Sequence, residues 1–137
     1  MYNIQQLEAD KVDGAIALWR ESGPGVTLQD WETPELILRS IERFGDLNFV
    51  AIEDGQVIGA VMGGYFGLRG LVQHLAVHKD HQHKGIGTKL MHACCDSFTR
   101  RGIYRVLLGA GTEESITFYR AVGFKEDESV KLMWKDL

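Results

Sequence analysis

Cysteine and proline are both scarce: 137 residues contain two of each, and 15 lysines and arginines are outnumbered by 19 aspartates and glutamates. Each shortage excludes something. Cys94 and Cys95 are neighbours, and bridging adjacent residues would strain a helix, so both thiols are expected to be reduced, small packing residues. Proline, serine and glutamine show no excess of the kind that marks a disordered arm. The net charge of −4 repels phosphate backbones and argues against a nucleic-acid partner. No apolar run approaches the roughly 18 residues that span a bilayer. The opening residues Met1 to Glu8 lack the basic start and apolar stretch of a signal peptide. A cytoplasmic protein without a membrane partner is expected. His74, His78, His81, His83 and His92 are dense, yet no cysteine or carboxylate completes a known ligand spacing beside them, so no metal is expected.

What is present fits an ordinary globular chain, with 45% hydrophobic and 25% charged residues. Length and composition predict a single domain over 1–137, large enough to bury roughly two-thirds of its unfolded surface. Residues 2–7 read as a short strand. Val12, Ile16 and Trp19 then recur at helical spacing until Gly23-Pro24-Gly25. Thr33 followed by Pro34 is an N-cap with proline at the first helical position, and Ile37, Ile41 and Phe44 continue that helix to Gly45. The intervening loop, Gly23 to Glu32, is longer than most connections and carries Trp31.

Leu47–Glu53 and Gln56–Gly63 are β-prone runs joined by Asp54-Gly55, a pair suited to a two-residue hairpin turn. Residues 71–77 make a further strand after a glycine-bounded turn. Ile86, Leu90, Met91, Cys94 and Phe98 trace a helix closed by Gly102. Tyr104–Ala110 reads as a strand, Glu113–Val122 as a helix capped by Thr112, and Ser129–Lys135 as a last strand. The order β-α-α-β-β-β-α-β-α-β contains one βαβ crossover, so the sheet is mixed and the class is α+β.

The chemistry concentrates between residues 78 and 88. A polar loop leads from strand 71–77 into Gly85-Ile86-Gly87 and a helix start, where backbone N–H groups can converge on an anion. The glycines remove Cβ from the approach. Lys84 and the helix dipole add positive character. A pyrophosphate suits such a loop. The dinucleotide fingerprint, however, needs a third glycine where Leu90 stands, and no Walker-type Gly-Lys-Ser/Thr run is present.

Leu75-Ala76-Val77 followed by Gln82-x-x-Gly85-x-Gly87 resembles the acetyl-CoA motif of the GNAT N-acetyltransferases, and Phe118-Tyr119-Arg120-Ala121-Val122-Gly123-Phe124 resembles that family's later motif. The likeness extends over nearly the whole chain, and Val61 to Leu90 is similar to small bacterial members. The resemblance implies a GNAT-like fold, a mostly antiparallel sheet splayed into a V between strands 71–77 and 104–110 and flanked by helices. It implies acetyl-CoA in that opening as cosubstrate, and direct transfer in a ternary complex without an acyl-enzyme.

Carried over residue by residue, the resemblance gives the main chain of Leu75, Ala76 and Val77 to the pantetheine and thioester carbonyl. The loop Gln82, His83, Lys84, Gly85, Ile86, Gly87 and Thr88 goes to the pyrophosphate. Tyr119 matches the tyrosine beside the coenzyme A sulfur, and a phenol of ordinary pKa about 10 is protonated at neutral pH, ready to protonate a thiolate. Two departures stand out. Thr112 replaces a frequent asparagine and also fits a helix N-cap, and strand 71–77 lacks the carboxylate many members use as base.

His74 can take the base role, imidazole being the side chain whose ordinary pKa lies nearest neutrality; a glutamate from another element or solvent are the alternatives. Strand alternation puts Gln73 and His74 on opposite faces. The acceptor implied is an amine, of a small molecule or of a protein or peptide. Acids around the long loop, Glu21, Asp30, Glu32 and Glu35, suit a cationic acceptor. The rival readings are a non-catalytic acyl-CoA-binding regulatory module and a subunit that binds a partner through Trp31 or Trp134. Assembly, a homodimer included, is left open.

Overall fold

The computed structural model describes residues 1–137. Strand β1 (Asn3–Gln6) is followed by helices α1 (Val12–Arg20) and α2 (Pro34–Arg43), then by strands β2 (Phe49–Glu53), β3 (Gln56–Phe66) and β4 (Arg69–Val77). Helix α3 (Ile86–Arg100), the short strand β5 (Arg105–Leu107) and helix α4 (Glu113–Ala121) complete the order. The strands form one sheet in chain order, antiparallel throughout except for the parallel pair β4 and β5 joined across α3.

Local chemistry accounts for several boundaries. The Thr33 hydroxyl accepts a hydrogen bond from the Leu36 N–H at 3.3 Å, and Pro34 opens α2 where its missing N–H is not needed. Asp54 and Gly55 take φ values of 50° and 76°, the left-handed pair that a tight hairpin between β2 and β3 requires.

The sheet buries both faces. On one, Trp19 and Ile16 of α1 and Ile37 and Ile41 of α2 cover Val50, Ala60, Met62 and Ala76. On the other, Ile86, Leu90, Cys94 and Phe98 of α3 cover Ala51, Ile58, Val61 and Val72. Cys94 is a packing residue, as its sequence neighbourhood suggests, and burial pushes its thiol well above the ordinary value. Gly70 permits a close contact: a Cβ there would sit 2.6 Å from the Phe98 ring, so only glycine lets the ring lie on the sheet.

Two strands differ from expectation. β5 covers only Arg105–Leu107 rather than Tyr104–Ala110, because its pairing with β4 ends at Leu71 and Leu107. No strand forms over 129–135; Ser129 ends a turn and the residues after it pair with no strand, with Val130, Leu132, Met133 and Trp134 exposed. Apolar alternation supplies a face, whereas a strand exists only through a hydrogen-bonded neighbour. The acidic run before it folds on itself instead, the Ser129 N–H donating to the Asp127 carboxylate at 3.0 Å.

Between β3 and β4 the ladder slips. Ala60 pairs with Ala76 and Met62 with Gln73, so the single residue Val61 faces both His74 and Leu75. This is a β-bulge, with His74 in the left-handed region at φ 54°. The bulge overturns the alternation argument. Gln73 reaches a groove with Ser40 of α2 and Phe44 just beyond it, and the His74 ring lies 5.5 Å from that of Trp19 on α1, so both side chains occupy the α1 and α2 side.

Candidate active site

The parallel pairing of β4 and β5 spans only Arg69–Leu71 against Arg105–Leu107. Beyond it the two strands part. Residues His74–Val77 therefore keep β3 on one edge and leave the other edge open. Leu75 and Val77 turn half-buried side chains towards the α3 cluster, while Ala76 is buried on the opposite side. The open main chain of these residues borders the gap, as a splayed sheet requires.

From Val77 the chain passes through a single turn, Lys79–His81, into the glycine loop. The Gln82 side chain folds back, its Nε2 donating to the Val77 carbonyl at 3.1 Å, which ties the loop to the strand end. His83 and Gly85 both take left-handed φ, 63° and 82°, and such turns aim successive N–H groups into one concavity. Lys89 is the first donor of α3 satisfied within the chain, by the Gly85 carbonyl at 3.1 Å; the N–H groups from His83 to Thr88 have no acceptor there.

No side chain caps this helix start and no acidic residue occupies its first turn. A Cβ on Gly85 would meet nothing within 4 Å, so the space above the loop is open. Unpaired donors, a positive helix end and the exposed Lys84 fit an anionic diphosphate.

Helix α4 closes over the same corner. The Phe118 ring touches the first turn of α3, where a Cβ on Gly87 would stand 3.3 Å from it. Tyr119, the next residue, is half-buried between Phe118 and Phe124, with ring centroids 5.3 Å and 5.7 Å away. Burial raises its phenol above the ordinary value, so it stays protonated at neutral pH. Thr112 is the N-cap of α4: its hydroxyl accepts from the Ser115 N–H at 3.1 Å, and Ser115 Oγ accepts from the Thr112 N–H at 3.2 Å, a reciprocal capping box.

On the α1 and α2 side lies a contact that sequence spacing does not reveal. Glu32, from the long loop before α2, places Oε1 2.6 Å from His74 Nε2, and the two side chains are only 13% and 12% exposed. The loop's unusual length was the one signal that it does more than connect. The remaining histidines stay apart from this pair. His78 and His81 face each other at 5.7 Å, with His81 3.5 Å from Glu53. Trp31 is exposed.

Residues 45–126 match the family model described as an acetyltransferase (GNAT) domain. An acetyltransferase of Sodalis glossinidius is 31% identical over 98% of this chain and 94% of its own length. An acetyltransferase of Pectobacterium atrosepticum is 33% identical over 77% of this chain and 73% of its own. Among solved structures, the PaiA N-acetyltransferase of Thermoplasma acidophilum, in complex with coenzyme A, superposes with a TM-score of 0.80 at 20% identity, covering 93% of this chain and 92% of that one. The ribosomal-protein-S18-alanine N-acetyltransferase of Escherichia coli gives 0.73 at 20% identity, over 93% and 79%.

The chain belongs to the GNAT family of acetyltransferases. It is an acetyl-CoA-dependent N-acetyltransferase with the α+β architecture that its sequence motifs imply. No helix in it is long and apolar enough to cross a membrane.

Proposed function

We propose that this chain transfers the acetyl group of acetyl-CoA to a primary amine by direct attack in a ternary complex. One observation carries the reading: the gap where β4 leaves β5 adjoins a loop whose N–H groups, His83 to Thr88, lack acceptors in the chain. The N–H groups of residues 82–88 bind the pyrophosphate. The free main-chain edge of Leu75, Ala76 and Val77 binds the pantetheine and polarises the thioester carbonyl.

The neutral amine nitrogen attacks that carbonyl carbon, the C–S bond breaks, the departing thiolate takes a proton from the Tyr119 hydroxyl, and the proton the nitrogen sheds on becoming an amide returns to the tyrosinate, giving the amide and free coenzyme A. His74 takes the proton that first converts the acceptor's ammonium into the neutral amine, and releases it to solvent. The acceptor's apolar part lies in a groove of about 180 Å³ lined by Ser40, Phe44, Met62, Tyr65 and Gln73, the last being the residue next to His74 on β4. Thr112, whose hydroxyl is engaged in its cap, acts on the cosubstrate chiefly by fixing the start of α4.

Calorimetry of acetyl-CoA binding to wild type and to Gly85→Trp tests the reading. Wild type should bind and the variant should lose at least about two orders of magnitude in affinity, equivalent to roughly 2.7 kcal/mol. The left-handed backbone at residue 85 adds strain of about 1–2 kcal/mol, so circular dichroism must show the variant folded. A wild type that binds neither acetyl-CoA nor coenzyme A sinks the proposal.

A further inference from the structure

His74 and Glu32 meet from opposite sides of the acceptor face, one on a sheet bulge and the other on a loop 42 residues earlier in the chain. Both are seven-eighths buried. Buried charge without a role is costly, and breaking one partner of such a pair leaves the other stranded. The surroundings hold each partner in place.

Glu32 closes a turn on itself: its N–H donates to the Gln29 carbonyl at 3.0 Å, and its Oε2 accepts from the Gln29 N–H at 2.7 Å. Both carboxylate oxygens are thus engaged, Oε2 by the loop and Oε1 by His74 Nε2. His74 is backed by the Trp19 ring and fixed by the left-handed bulge. A left-handed, non-glycine residue in a strand carries strain of about 1–3 kcal/mol and is retained where its geometry is used.

A carboxylate only accepts. The proton shared with Glu32 must therefore sit on Nε2, which leaves Nδ1 as the lone pair of the neutral ring. Resting on the acetyltransferase reading above, we propose that Glu32 is a positioning residue for the base: it selects the Nε2–H tautomer of His74 and stabilises the imidazolium formed when Nδ1 takes the proton of the acceptor ammonium. The ammonium becomes the neutral amine, His74 becomes the cation facing Glu32, and the proton later passes to solvent. The family resemblance found no carboxylate in strand 71–77. Here a carboxylate from the α1–α2 loop acts through histidine instead. The charged group within ion-pair distance of His74 is Glu32; α1 presents the uncharged Trp19, β3 presents Val61 across the bulge, and β4 itself presents Gln73 beside it.

The test uses the full chain as wild type, Glu32→Gln and His74→Gln, each first checked for acetyl-CoA binding by calorimetry. Nitrogen-15 NMR of the histidine rings, assigned by the His74→Gln spectrum, should show His74 as the Nε2–H tautomer in wild type. In Glu32→Gln that preference should be lost, because an amide can donate to the ring as well as accept from it. Initial rates of coenzyme A release with spermidine and with tyramine should follow the ring. In Glu32→Gln kcat falls at least about tenfold while KM for the amine stays near the wild-type value, and His74→Gln loses about 10²–10⁴-fold in kcat.

A His74 ring that is Nδ1-protonated in wild type, or whose tautomer is unchanged in Glu32→Gln, overturns the proposal even if neither amine is an acceptor. Acetyl-CoA binding then still stands or falls separately. A purely structural Glu32 would change stability and leave the tautomer and kcat unmoved.

Discussion

Residues 1–100 and residues 101–137 are built differently. Every buried hydrophobic side chain lies at or before Phe98, where two helical layers grip both faces of the sheet. After it, α4 contains no buried residue, Tyr104 is 93% exposed and Trp134 81%. Tyr119, Val122 and Phe124 only rest, half-buried, on the α3 cluster. The first part has the packing to hold itself together. The second carries the proposed acid and borrows its position from the first. Segments with few buried contacts open locally at low free energy, and ligand-facing elements are drawn from that end of the scale.

The largest effect that would sharpen this contrast is on stability. Phe98 fills the α3 face against Gly70, so Phe98→Ala should lower the unfolding free energy by about 3–5 kcal/mol. The same truncation at Phe124 should cost less than half as much, since its ring is already partly solvated. Urea unfolding of both variants checks it. Equal losses would mean that the C-terminal segment is as firmly seated as the sheet.

The next effect is on chemistry and should leave stability alone. Tyr119→Phe keeps the ring between Phe118 and Phe124 and removes only the hydroxyl, so kcat should fall by about 10²–10⁴-fold while the melting temperature at neutral pH is unchanged. The raised phenol adds a pH signature. Folding favours its protonated form, a preference fully present below the ordinary value of 10.0 and lost as pH rises through the raised folded value. Melts above pH 10 should therefore decline more steeply in wild type than in Tyr119→Phe. Parallel declines would place the phenol in water rather than in the α3 cluster.

Sequence reasoning reached the pieces whose cause is local. Thr33-Pro34, Asp54-Gly55 and the left-handed Gly85 each declare a cap or a turn within a few residues. Motif order then placed the opening between β4 and β5. What it missed is set by partners far along the chain. The bulge exists because Val61 faces two residues across the ladder, and nothing within Gln73-His74-Leu75 announces that register.

The same holds for Glu32 and His74, and for Asn48. The Asn48 side chain joins the Phe44 carbonyl at 2.9 Å to the Gly63 N–H at 3.1 Å and makes one buried node of α2, β2 and β3. In the opposite direction, Ser129–Lys135 has the pattern of a strand and forms none, because pattern cannot supply a neighbouring edge.

The smallest expected effect separates two roles for Thr112 at the border of the two regions. Its hydroxyl is held by Ser115 on both sides, accepting from the backbone N–H at 3.1 Å and lying 2.9 Å from Ser115 Oγ. A side chain so engaged fixes where α4 begins, and with it where Tyr119 stands. Thr112→Ala strands the Ser115 N–H and should destabilise by about 1 kcal/mol, whereas Thr112→Ser restores the cap and should return both stability and acetyl-CoA affinity to the wild-type level. If Thr112→Ala lowers affinity without moving the unfolding midpoint, the hydroxyl touches the cosubstrate directly. If stability falls and affinity follows it in proportion, the C-terminal segment depends on its cap to present α4 to a site whose other parts are already fixed by the sheet.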